Sequence, residues 1–338
     1  MRADLPIAIL AMDPKLTPDL IQGRHLQSLE QLVNVARIEP VKDFSETGIG
    51  ALLSRVEILI TGWGCPEITP IVLARMPKLG LLVHTGSSVR PVAGAAVWER
   101  GIRVVSAAVA NAPPVAEYCL AMILLANKEV FYIREAYRSG TWAWQVPWPS
   151  NGLTGNNGAT VGIIGASRIG RKLIELLKPF DLGVLLCDPT ISGEEAAGLG
   201  VELVGLNSLL ERSDIVTIQA PSLPSTYRMI GAEQLALMRN GSTLLNTARG
   251  ALVDLAALEK EVTAGRLKAI LDVSDPEPLG RESPLLSSSN AFVTPHIAGA
   301  TGAETHRLMD LAIEEIRRHR KGEPLRHEVT HDMLDRVA

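Results

Sequence analysis

Short apolar runs alternate with helix-like segments from one end of this chain to the other, and that alternation restricts the fold more than any other feature. IAILAM (7–12), VNVARI (33–38), VEILITG (56–62), LGLLVHTG (79–86) and RVVSA (103–107) form a first series. TVGIIGA (160–166), GVLLCDP (183–189), VELVG (201–205), DIVTIQA (214–220), STLLNTA (242–248), KAILDVS (268–274) and AFVTPH (291–296) form a second. The runs are rich in Val, Ile and Leu, and most close on Gly, Pro or a polar residue. Continuous rather than alternating apolar character belongs to strands covered on both faces, as in a parallel sheet. Two such series predict an α/β chain with two doubly wound, Rossmann-like parallel-sheet domains, each of five or more strands.

Helical patterns fill most of the intervals. Pro113 and Pro114 open a long apolar segment, 113–130, because proline is tolerated at a helix start. Residues 304–322 carry a stripe of Leu308, Leu311, Ala312 and Ile316, followed by a basic last turn that suits the helix dipole. Residues 138–158 break the rhythm. They are dense in Trp, Gly, Pro and Asn and read as a loop or arm. Trp142, Trp144 and Trp148 on it either cover the domain's own core or pack on a second subunit.

The 338 residues are 46% hydrophobic and 21% charged, enough for two domains and a large core. A net charge of −4 argues against a general nucleic-acid binder, which needs a basic surface. Cys65, Cys119 and Cys187 are far apart, with no Cys/His cluster, so no metal site is expected and the thiols read as small buried groups. The N-terminus lacks a signal-peptide pattern, and CLAMILLA (119–126), the longest apolar stretch, is shorter than the roughly 20 residues of a membrane span. The expectation is a cytoplasmic protein that binds neither membrane nor nucleic acid.

The segment TVGIIGASRIGRKLIELL reads as strand, tight turn and helix. Its turn, Gly165-Ala-Ser167-Arg168-Ile169-Gly170, matches the dinucleotide fingerprint G-x-G-x-x-G except for serine in the middle. Gly165 permits the sharp turn, Gly170 lets the helix pack on the strand, and the helix N-terminus favours a pyrophosphate. The next strand ends at Asp188. A carboxylate there accepts hydrogen bonds from a ribose diol and repels a 2′-phosphate, so the expected coenzyme is NAD rather than NADP.

Arg249, Glu277 and His296 each follow a strand-like run of the second series, where ligands of open α/β sheets bind. Alone, each has an ordinary reading as an ion pair, a loop residue or a packed histidine. Beside a nicotinamide, the three types suit reduction of a 2-keto acid. Histidine holds the proton near neutral pH, a neighbouring carboxylate favours imidazolium and fixes the ring, and the guanidinium fork grips the substrate carboxylate.

With these motifs in view, the chain resembles the D-isomer-specific 2-hydroxyacid dehydrogenase family over nearly its whole length. NTARG with Arg249, DVSDPEP with Glu277 and TPHIAG with His296 match the family's active-site segments. The resemblance implies a cofactor domain, about 111–299, inserted into a substrate domain of 1–110 and 300–338. The long helices near 113–130 and 304–322 would form the hinge, and a homodimer would form through the cofactor domain. It implies that Ser87 and Ser88 in HTGSSVR hold the substrate carboxylate, although the usual pattern there has become Gly-Ser-Ser. Asn111 then touches substrate or nicotinamide, or else caps the turn before Pro113. Further implied coenzyme contacts are Arg168 and Ile169 at the pyrophosphate, Pro221 and Thr226 along the dinucleotide, Ala248 through its backbone, and Asp272 at the carboxamide. Gln219 stands where many relatives carry His, and His84 is a candidate pocket residue.

The implied substrates are small 2-hydroxy or 2-keto acids: glycerate or hydroxypyruvate, glyoxylate, 3-phosphoglycerate or another. Formate dehydrogenases of the same superfamily carry Gln where Glu277 stands. The rival from another class is a non-enzymatic, NAD-sensing corepressor-like binding protein.

Overall fold

The computed structural model describes residues 5–142 and 155–335. The chain divides into two compact units, Met1–Asn111 with Ala300–Ala338, and Ala112–Gly299.

In the first unit, β1 (Ile7–Ala11), β2 (Asn34–Val41), β3 (Ile58–Thr61), β4 (Leu81–His84) and β5 (Arg103–Ser106) make one sheet in the order β2-β1-β3-β4-β5. Every pairing is parallel. Side chains of a strand alternate between faces, and the core divides accordingly. Ile9, Leu59, Leu82 and Val104 enter one buried cluster, while Leu10, Ile60, Val83 and Val105 enter the other. The second cluster is closed by Leu308, Met309, Ala312 and Ile316 of helix His306–Arg320. Edge strand β2 departs from the two-faced burial expected of it. Ile38 is exposed, Pro40 sits where no ladder donor is needed, and Arg37 pairs with Glu46 at 2.7 Å.

The second unit carries β6 (Thr160–Ile164), β7 (Gly183–Cys187), β8 (Glu202–Leu203), β9 (Ile215–Ile218), β10 (Thr243–Asn246), β11 (Lys268–Leu271) and β12 (Ala291–Val293). Their order is β12-β11-β10-β9-β6-β7-β8, again all parallel. The order reverses at β6, and its neighbours there are β7 and β9, the switch point of a doubly wound sheet.

Two sequence expectations need correction. The helix expected from Pro113 begins at Ala108 and runs to Asn127, with both prolines inside it. The Ser106 hydroxyl accepts the N–H of Ala108, the first helical residue, at 3.1 Å, well upstream of the proline signal. At 20 residues this helix is, among the described residues, the one long and apolar enough by length and composition to cross a membrane, which CLAMILLA alone is not. Its Val115, Ala116, Cys119 and Ile123 pack with Val161, Ile163 and Leu173 in the core of the second unit. The second correction is an unanticipated helix, Val130–Arg138, entered through Glu129 in the left-handed region at φ 57°. Of the tryptophan arm, Trp142 is exposed with its ring 5.5 Å from that of Tyr137, while Trp144 and Trp148 lie outside the described residues.

Candidate active site

Arg249, Glu277 and His296 all belong to the second unit, in the loops after β10, β11 and β12. His296 Nδ1 lies 2.7 Å from Glu277 Oε1, with the two side chains 49% and 42% exposed. An ionised carboxylate can only accept, so Nδ1 carries the shared hydrogen and Nε2 is left for the mobile proton. His296 itself takes φ 58°, a conformation a non-glycine residue holds only when its surroundings impose it. Those surroundings centre on Asp272, one residue past β11 and 1% exposed. Its carbonyl accepts the His296 N–H at 2.9 Å. Its carboxylate accepts from the Thr294 hydroxyl at 2.6 Å and from the N–H groups of Ile297 and Ala298, each at 2.8 Å. Thr294 is held in turn by the Tyr118 hydroxyl at 2.7 Å. Three of the four acceptor sites of Asp272 therefore fix the histidine loop, which leaves one for the carboxamide contact expected of it.

Arg249 is half-buried. Burial pulls its pKa below the ordinary value, and the Glu277 charge opposes that shift. Its Nη1 donates to the Ala248 carbonyl at 2.6 Å. Asn246 shapes the turn, accepting the Ala248 N–H at 3.0 Å and donating to the Arg249 carbonyl at 2.9 Å. The next residue must be glycine: a Cβ on Gly250 would stand 2.0 Å from the Ser274 carbonyl carbon. That close crossing brings the arginine loop against the loop carrying Glu277. Sequence reasoning missed Gly250, Asn246 and Tyr118; a polar residue and a glycine flanking Ala-Arg were the available signal.

The turn after β6 suits a dinucleotide. Gly165 has φ 104°, and a Cβ there would lie 2.8 Å from the Gln219 and Ala220 backbone after β9. A Cβ on Gly170 would lie 2.2 Å from the Gly165 carbonyl oxygen. Helix Arg168–Leu177 starts here, capped by the Ser167 hydroxyl accepting the Gly170 N–H at 3.3 Å. Arg168 is exposed and Ile169 half-buried beside that N-terminus. Asp188, just past β7, accepts from Ala166 N–H at 2.6 Å and from the Thr190 N–H and hydroxyl at 2.8 and 2.6 Å. Burial works against its charge, but these hydrogen bonds and the nearby Arg171 outweigh it and hold the carboxyl below its ordinary value. Thr226 closes its own loop, donating to the Pro221 carbonyl at 2.7 Å.

A family model described as the D-isomer specific 2-hydroxyacid dehydrogenase, NAD binding domain, matches residues 120–298. The chain belongs to the D-isomer specific 2-hydroxyacid dehydrogenase family. The matched domain is an NAD-binding one, and NAD is the coenzyme of the second unit. A D-3-phosphoglycerate dehydrogenase of Mycobacterium tuberculosis is 34% identical over 255 residues, covering 75% of this chain and 47% of the relative. The chain thus spans about half the length of the phosphoglycerate dehydrogenases it matches. A glyoxylate reductase of Korarchaeum cryptofilum is 32% identical, covering 75% of this chain and 76% of the relative. Among solved structures, the TT0316 protein of Thermus thermophilus superposes with a TM-score of 0.76 at 28% identity, over 96% of this chain and 100% of that one.

The residues that the 2-hydroxyacid dehydrogenase resemblance puts at the substrate lie in the first unit. Ser87 and Ser88 are half-buried in the turn after β4. The Ser87 carbonyl accepts from the Ser106 hydroxyl at 2.6 Å, and its own hydroxyl accepts from Asn111 Nδ2 at 2.7 Å. Asn111 Oδ1 accepts the Ala300 N–H at 2.8 Å. Asn111 thus ties the Ser87 turn to the Ala300 backbone within the first unit, and its amide keeps one N–H and one acceptor lone pair for a further partner. His84 is 2% exposed, its Nδ1 is 3.0 Å from Thr61 Oγ1, and burial pushes its pKa down to about 4. A Cβ on Gly86 would stand 2.5 Å from its Nε2, so His84 is a neutral support under the turn. Gln219 is likewise buried, donating to Thr217 Oγ1 at 2.9 Å.

Proposed function

We propose that this protein is an NAD-dependent dehydrogenase acting on a small 2-hydroxy or 2-keto acid. The observation that carries the reading is the 2.7 Å pair of His296 Nδ1 and Glu277 Oε1, with the half-buried Arg249 electrostatically coupled to the same carboxylate. Bound NADH supplies the hydride that reaches the substrate carbonyl carbon. His296 Nε2 donates the proton to the carbonyl oxygen and takes it back in the oxidative direction, while Glu277 stabilises the imidazolium and holds its plane. Arg249 binds the substrate carboxylate through its fork and polarises the carbonyl. In this reading the first unit is the substrate domain, and the backbone N–H groups of the Ser87–Ser88 turn are its candidate substrate donors. Asp188 favours a ribose diol over a 2′-phosphate.

The names of the relatives support the substrate class, since 3-phosphoglycerate is a 2-hydroxy acid and glyoxylate a 2-oxo acid. The test incubates the protein with NADH and a panel of 2-keto acids and follows the nicotinamide absorbance. Turnover of at least one acid, and preference for NADH over NADPH, are expected. Tight NADH binding without turnover of any acid would replace this reading by that of an NAD sensor.

A further inference from the structure

The ribose end of the coenzyme site is more than a single carboxylate, and all of it lies within the second unit. An ionised carboxylate has about four acceptor sites. Asp188 gives three of them to the Ala166 N–H, the Thr190 N–H and the Thr190 hydroxyl. One is left, enough for one hydroxyl of a ribose diol. The same bonds remove the donors that a 2′-phosphate would need, because both N–H groups are already engaged by Asp188.

A cation stands beside this carboxylate. Arg171 lies early in helix Arg168–Leu177. Against burial, and with the Thr190 and Ala166 hydrogen bonds, its charge helps hold the Asp188 carboxyl below the ordinary value. Arg171 is restrained at two points. Its Nε donates to the Ala166 carbonyl at 2.9 Å, on the same residue whose N–H Asp188 accepts. Its Nη2 donates to Glu195 Oε1 at 2.6 Å, on helix Gly193–Leu199. The two side chains are 39% and 44% exposed, so ligand can reach both. A guanidinium has five N–H donors, and these bonds use two of them. The site therefore already holds the type of group with which dinucleotide folds accept a 2′-phosphate, an arginine near the acid at the strand end. Two carboxylates oppose that use, Asp188 and Glu195. The Glu195 side chain is not needed to start its own helix: the Ser192 hydroxyl caps it by accepting the Glu195 backbone N–H at 3.1 Å.

We propose that Arg171 is a latent ligand for a 2′-phosphate and that Glu195, by holding it, helps to exclude NADP(H). The proposal rests on the reading of Asp188 as the acceptor of the ribose diol and deepens it. A phosphate on that diol brings a charge of roughly −1.5 to −2 to a place where two carboxylates face one guanidinium. With both carboxylates removed, Arg171 keeps its charge, its bond to Ala166 and an unengaged fork. No basic residue has to be added for the phosphate to find a partner. Glu195 acts only through Arg171 and is a positioning residue; its effect falls on the 2′-phosphate and not on NADH.

The experiment measures dissociation constants of NADH and NADPH by nicotinamide fluorescence, without substrate. It compares the native protein, Asp188→Ser, the double variant Asp188→Ser with Glu195→Ala, and that double variant carrying Arg171→Gln as well. The native protein is expected to bind NADH more tightly by at least about tenfold, and Asp188→Ser to narrow that ratio. Adding Glu195→Ala is expected to tighten NADPH by about tenfold more, the scale of a charge-assisted hydrogen bond to phosphate, with NADH unchanged. Adding Arg171→Gln should abolish that gain. The NADH constant of each variant shows that it is folded. If Asp188→Ser narrows the ratio but Glu195→Ala adds nothing, or adds a gain that survives Arg171→Gln, the inference is overturned and the Asp188 reading stands. A native protein that binds NADPH as tightly as NADH, or a ratio unmoved by Asp188→Ser, would sink both.

Discussion

The polar groups at the carboxyl ends of the two sheets are used in opposite ways. In the first unit His84, Thr61, Ser106 and Asn111 are buried and bonded among themselves or to the Ser87 turn, which they support. In the second unit one buried polar residue, Asp272, holds a backbone in a strained shape so that His296 and Glu277 stay half exposed. In the proposed function, one end recognises and the other reacts. A titratable group is of use to chemistry only where solvent or substrate can reach its proton, and His84 and His296 show the two cases in one chain.

That contrast predicts different consequences for substitutions on either side. The larger effect belongs to the reactive end. Arg249→Lys should lower kcat/KM by about 10- to 10²-fold, mainly through KM, because one charge-assisted hydrogen bond contributes about 1.5–3 kcal/mol and an ammonium has no fork. Steady-state kinetics on the best acid of the panel reads this, and an unchanged KM would contradict the assignment of Arg249 to the carboxylate. The smaller effect belongs to the recognising end. As pH falls from 6.5 toward 4, the unfolded chain protonates His84 before the folded one does, so folding stability drops across that window and no further below it. The bound on this single contribution is about 3 kcal/mol. His84→Gln should flatten the difference in denaturant midpoint between pH 7 and pH 4.5 and leave the affinity for NADH unchanged. An identical pH dependence in the variant would mean that His84 is not the buried neutral group described.

The strands of both sheets were legible because burial on two faces leaves a continuous apolar signature, and TVGIIGASRIG announced its turn because only glycine tolerates the backbone approach at Gly165 and Gly170. The start of helix Ala108–Asn127 is masked in the sequence because Pro113 and Pro114 are a louder signal than Ser106, whose hydroxyl accepts the first helical N–H. Arg249, Glu277 and His296 stood out by residue type and position after strands. The support of His296 by Asp272 and the crossing at Gly250 did not, since both depend on which loops meet.

The central claim is that His296 moves the proton. Single-turnover oxidation of enzyme-bound NADH by a 2-keto acid, compared between the native protein and His296→Ala with NADH affinity followed by nicotinamide fluorescence, tests it most directly. The account predicts a rate lower by at least about 10² with coenzyme affinity unchanged. A variant that oxidises NADH at the native rate would contradict it.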